Sequence, residues 1–135
     1  MLNELDQPPQ AIVYLRVASA RRQDVGVIER QRAGCLRIAT EYGLTVVREY
    51  ADLGRPARFD QQPGLQHLLD DLAKDRDIPY VVVWNYARLA RDMTQLETVI
   101  RRIRSYGAQV VTPTGVEVAE RFLQERDARN QGRCE

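Results

Sequence analysis

Three short apolar runs, AIVYLRV at 11–17, PYVVVWN at 79–85 and AQVVT at 108–112, are separated by stretches whose apolar residues recur every three or four positions. This alternation restricts the possible folds more than any other feature of the chain. Each run is shorter than an ordinary helix and rich in β-branched and aromatic residues, so each reads as a strand, and the continuous apolarity of the first implies burial on both faces. LTVVREYAD, from Leu44 to Asp52, alternates in character and reads as a further strand. Ile28, Cys35, Ala39 and Tyr42 within residues 26 to 42 keep the spacing of an amphipathic helix. So do Leu65, Leu68, Leu69 and Leu72, and then Leu96, Val99, Ile100 and Ile103. Gly43 and Gly107 supply helix stops, and Pro63 suits a helical first turn. GRPARFDQQPG, residues 54–64, has no period and reads as a loop. Parallel strands need crossovers, so the pattern implies an α/β, doubly wound, mainly parallel sheet of four to five strands with helices on both faces.

A chain of 135 residues suits one domain. Twenty Lys and Arg against 19 Asp and Glu leave a net charge of +1, which argues against general affinity for polyanions, so any nucleic-acid contact must come from local clustering. Lys74 is the only lysine, and the remaining cations are arginines, whose planar donor fork suits phosphate. No GxGxxG or GxxxxGK[ST] pattern occurs, and Gly26 and Gly54 stand isolated, which disfavours a nucleotide cofactor. Cys35 and Cys134 offer neither a disulfide framework nor a zinc spacing. His67, between a glutamine and a leucine on a helix, reads as solvated, and Asp70-Asp71 as a charged helix face. Residues 1–10 lack the marks of a signal peptide and read as disordered. A soluble, cytoplasmic protein without membrane contact is expected.

In open parallel sheets ligands gather outside the carboxyl ends of the strands. That rule selects Arg16–Gln23, Asp52–Gln62 and Ala87–Asp92, and all three segments carry arginine.

YLRV with a following serine and glutamine, Gln31 on the first helix, EYAD on the second strand, PGL opening the second helix, and VVVWNYARLARD after the third strand occur in order. Together they resemble the catalytic domain of the serine recombinases, the resolvase and invertase family, over residues 11–118. The most specific piece is RLxRD, Arg88-Leu89-Ala90-Arg91-Asp92. The resemblance implies DNA recombination, as in the integration and inversion events of mobile elements: strand cleavage and rejoining through a phosphoserine link, without cofactor or metal, in dimers that assemble into tetramers. It implies Ser19 as nucleophile, with Arg16, Arg88 and Arg91 stabilising charge on the phosphoryl group. Gln23, Gln31, Arg55, Arg58 and Asp92 are then candidate contacts to the DNA phosphates. Arg88 and Arg91 share a helix face if a helix starts there.

The sequence also departs from the family pattern. The residue two after Arg16, where the family has its serine, is Ala18; Ser19 keeps the family's spacing of four to Gln23, so one extra residue, accommodated by a bulge at the end of the first strand, restores the register. Ala87 stands in place of an aspartate, Gln62 in place of an arginine, and Arg55-Pro56 in place of Ser-Gly. Three readings follow: an active or weakened recombinase domain; a catalytically inactive recombinase-like protein that binds DNA or a recombinase subunit and regulates assembly; or an unrelated α/β binding module. Residues 119–135 read as a helix or tail with no DNA-binding module, so a partner supplying one, or membership of a longer protein, is expected. With few phosphate contacts of its own, the chain should bind DNA weakly and in a strongly salt-dependent way.

Overall fold

The computed structural model describes residues 7–17, 25–54, 62–90 and 92–113. The candidates Ser19, Gln23, Arg55, Arg58 and Arg91, the expected C-terminal helix or tail and most of the N-terminal segment lie outside them.

Four strands, β1 (Gln10–Val17), β2 (Thr45–Leu53), β3 (Tyr80–Val83) and β4 (Gln109–Val111), form one sheet in the order β2-β1-β3-β4. All three pairings are parallel, as the alternation requires. Helices α1 (Val25–Glu41), α2 (Pro63–Lys74) and α3 (Met93–Ser105) provide the crossovers. The helix-ending Gly43 and Gly107 adopt φ +67° and +87°, as left-handed stops do.

Every residue of β1 from Ala11 to Val17 is buried because strands flank it and helices cover both faces. Its side chains therefore feed two cores. Ile12 and Tyr14 point toward α2 and α3, joining Leu65, Leu68, Leu69 and Leu72 with Val99, Ile100 and Ile103. Ala11, Val13, Leu15 and Val17 face α1 and meet Ile28, Cys35 and Ile38. Each fully buried leucine of α2 contributes about 1.5–3 kcal/mol relative to exposure, so α2 is fastened chiefly by its leucine stripe.

Several local expectations give way. Tyr42 falls beyond the end of α1 and is 46% exposed; its place in the buried stripe goes to Ile38 and to Gly34 and Gln31, which periodicity of apolar residues does not reveal. β3 is shorter than its apolar run, because the chain bends at Trp84 and Asn85 opens a 3₁₀ turn over Tyr86–Arg88. Arg88 closes that turn and no helix starts there: α3 begins at Met93, with Asp92 as its N-cap, so a shared helix face does not relate Arg88 to Arg91. The pairing of β1 with β2 is regular from Ile12 to Val17, with one irregularity between Ala11 and Ile12; the bulge expected before Ser19 lies past Val17, outside the described residues. Among the described residues no helix is long and apolar enough to cross a membrane.

Candidate functional site

The carboxyl ends of β1 and β3 lie side by side, and this places Arg16 against the 3₁₀ turn that carries Arg88. Arg16 is only 6% exposed. Its Nε donates to the Arg88 carbonyl at 3.2 Å and its Nη2 to the Ala87 carbonyl at 3.0 Å. Arg88 reciprocates, donating from Nη1 to the Arg16 carbonyl at 3.1 Å. Two arginines are thus interlocked through backbone oxygens. The residue preceding Arg88 is alanine, so that position brings no carboxylate to the pair. Burial, and then the positive charge of Arg88, push the Arg16 guanidinium below its ordinary pKa. Two neighbouring cations held this way form a site for an anion. Arg88 offers most of the donors: a guanidinium has five N–H groups, its buried Nε has no partner, and only Nη1 is engaged among the described residues.

Gln31 closes the other side. From the buried face of α1, its Oε1 accepts the Arg16 N–H at 3.3 Å while its Nε2 donates to the Arg16 carbonyl at 3.0 Å. A glutamine carboxamide bonds both backbone groups of one residue, doing for the edge of the strand end what a neighbouring strand would do. Gln31 therefore fixes the Arg16 backbone.

Beneath the arginines lies a second polar layer, built from residues not singled out as site candidates. Asp52, at the carboxyl end of β2 and 3% exposed, accepts from Tyr14 Oη at 2.6 Å and from the Gly64 and Leu65 N–H groups at 2.8 and 3.1 Å. Those two N–H groups are unpaired donors of the first turn of α2, where a carboxylate is favoured. Only glycine fits at position 64, because a Cβ there would come within 2.9–3.0 Å of the Ala51 carbonyl and the Asp52 carboxylate. Burial, reinforced by the Asp52 hydrogen bond, pushes the Tyr14 hydroxyl far above its ordinary pKa. Gln62 completes the layer: it is fully buried and donates through Nε2 to Tyr14 Oη at 2.9 Å and to the Arg88 and Leu89 carbonyls at 3.2 and 3.4 Å. The chain Asp52–Tyr14–Gln62 thereby ties the 3₁₀ turn to β1, β2 and α2.

Of the candidates read from sequence, Arg16, Arg88 and Gln31 meet in one place. Asp92 is turned to another task, accepting the Gln95 N–H at 2.8 Å as the cap of α3. His67 is exposed on α2 and Cys35 is buried in the α1 core. Tyr14, Asp52 and Gln62 were discoverable only as polar residues at positions the strand and helix patterns mark as buried. Among the described residues no group of His, Cys, Asp and Glu could hold a metal ion.

Residues 11–130 match the family model for the resolvase N-terminal domain. Among solved structures, the N-terminal catalytic domain of TP901-1 integrase superposes with a TM-score of 0.75 at 19% identity, covering 92% of this chain and 95% of that one. A resolvase family site-specific recombinase from Streptococcus pneumoniae gives 0.72 at 17% identity, over 91% and 86% of the two chains. The C-terminal catalytic domain of ISC1926 TnpA, an IS607-like serine recombinase, gives 0.64 at 22% identity, over 76% and 68%.

Proposed function

Because the chain belongs to the resolvase N-terminal domain family, we propose that it is a DNA strand transferase in which Ser19 attacks a phosphodiester held by Arg16 and Arg88. The observation that carries this reading is the arginine pair itself, two guanidiniums interlocked through backbone carbonyls at the ends of two parallel strands. Ser19 follows the last residue of β1 by two positions, so chain geometry alone keeps its Cα within about 7 Å of Val17 Cα. In the reaction the serine Oγ–P bond forms as the bond from phosphorus to the leaving sugar oxygen breaks. The serine proton is released, and the leaving oxygen takes up a proton. Charge gathers on the non-bridging oxygens, where guanidiniums held in advance stabilise it without reorganisation. Rejoining reverses these steps with another strand's hydroxyl, and the phosphodiester count is unchanged. Arg91, Gln23, Arg55 and Arg58 complete the proposed set of DNA contacts, and the active species is a dimer or tetramer, with DNA binding aided by a partner domain.

One observation favours a second reading, a catalytically inactive subunit that regulates assembly. Gln62, where the family carries an arginine, is wholly buried and directs its amide to Tyr14 and two carbonyls, so it gives the cleft no charge. The two readings separate in one assay. Supplied with a DNA-binding partner and a nicked suicide site, an active chain forms a protein–DNA complex that survives denaturing electrophoresis. Arg88→Gln should lower its rate of formation about 10²- to 10³-fold, the loss typical of one transition-state donor. A chain that binds DNA or recombinase subunits yet never forms the complex fits the regulatory reading and refutes the catalytic one.

A further inference from the structure

A cavity of about 610 Å³ opens beside the arginine pair and runs along α1. Three arginines line it, Arg30 and Arg37 from α1 and Arg88 from the 3₁₀ turn, while Val27, Ala33 and Trp84 form an apolar wall. Among the described residues no acid lines it. Glu29 on α1 and Glu49 on β2 are both bound to Arg32. Arg30 and Arg37 make no ion pair or hydrogen bond with a described residue. The buried Nε of Arg88 also lacks a partner.

The wall is shaped by one glycine. A Cβ at Gly34 would lie 2.3 Å from Trp84 Cζ3 and 2.7 Å from Cε3, so only glycine allows the indole to lie against the α1 backbone. An apolar wall facing unpaired guanidiniums matches the two sides of a nucleic-acid strand, sugar and phosphate. Seven residues of helix separate Arg30 from Arg37, which is about 10.5 Å along the axis. Two helical turns apart, the two arginines lie on the same face of α1 and can reach neighbouring phosphates of one strand.

We propose that this groove is a second DNA contact, in which Arg30 and Arg37 hold the sugar–phosphate backbone of a duplex a few nucleotides from the phosphate bound by Arg16 and Arg88. The proposal rests on the nucleic-acid reading above and extends it to residues with no place in the chemistry. Trp84 is the only tryptophan in the chain, so its fluorescence reports on this groove alone.

The test titrates the full chain at low salt with a fluorescein-labelled 20-base-pair duplex, following the DNA by anisotropy and Trp84 by emission. Both signals should change over the same concentrations. The slope of log K against log salt should shrink by about two in the R30Q/R37Q double variant, since each phosphate contact contributes roughly 0.9. Arg104→Gln, on exposed α3, should leave the slope unchanged. The groove proposal is overturned if anisotropy saturates while Trp84 stays silent, if the double variant keeps the full slope, or if R104Q lowers it equally. It is also overturned if Trp84 emission instead follows protein concentration without DNA, which would place a second copy in the groove. No anisotropy change at all is a different result: it removes DNA binding by this chain, and the groove proposal with it.

Discussion

Tyr14 has the apolar bulk its strand position asks for and a hydroxyl that a fully buried site can accept only if bonded. Asp52 and Gln62 provide those bonds, and through them one phenol connects β1, β2, α2 and the 3₁₀ turn. Tyr14→Phe keeps the bulk, deprives Asp52 of a donor and Gln62 of an acceptor, and should destabilise the fold by about 1–3 kcal/mol in urea unfolding. An unchanged midpoint and slope would mean that the layer contributes nothing. Residue types were legible where chemistry and position coincided: Arg16 and Arg88 stand at strand ends, and Gln31 was carried by the family spacing. Tyr14 and Gln62 were not, because a polar atom buried by a network looks in sequence like an ordinary aromatic or loop residue. Only coordinates show that Gln62 turns inward.

At the scale of elements, periodicity located the four strands and three α-helices of the described residues, since burial on two faces imposes runs and burial on one imposes stripes. It failed at the ends, where single side chains decide. β3 stops at Val83 although apolar residues continue, and the arginine-bearing turn is separated from α3 by an N-cap. Asp92 accepts the Gln95 N–H in that cap, with φ −119° and ψ 166°. Asp92→Ala should therefore cost about 1 kcal/mol, within the usual 0.5–2, and Asp92→Ser should recover most of it. Equal losses for both, measured by thermal unfolding, would assign Asp92 a role other than capping.

For the molecule as a whole, the two cores carry buried acids whose protons the fold retains. Burial, with a smaller contribution from Glu49, pushes the Cys35 thiol from its ordinary value of 9.0 up to about 12, and burial raises Tyr14 above 10.0. In the unfolded chain both groups release their protons at ordinary values. Above pH 9 the unfolded state thus binds fewer protons than the folded one, and stability must fall as pH rises. It should be fully present below pH 9 and decline between pH 9 and 12, with Cys35→Ala showing a shallower decline; a flat profile over this range would contradict the burial described. The α/β class and its two-sided helical cover were legible in the sequence because they follow from alternation, whereas the buried polar layer depends on contacts between residues up to 48 positions apart.

The central claim is that the serine two residues beyond β1 becomes bonded to DNA phosphorus. Mass spectrometry of peptides from the trapped protein–DNA complex, after nuclease digestion, tests it most directly. The account predicts a nucleotide-bearing phosphodiester on Ser19 and its loss in a folded Ser19→Ala variant. An adduct on any other residue, or one that persists in that variant, would contradict it.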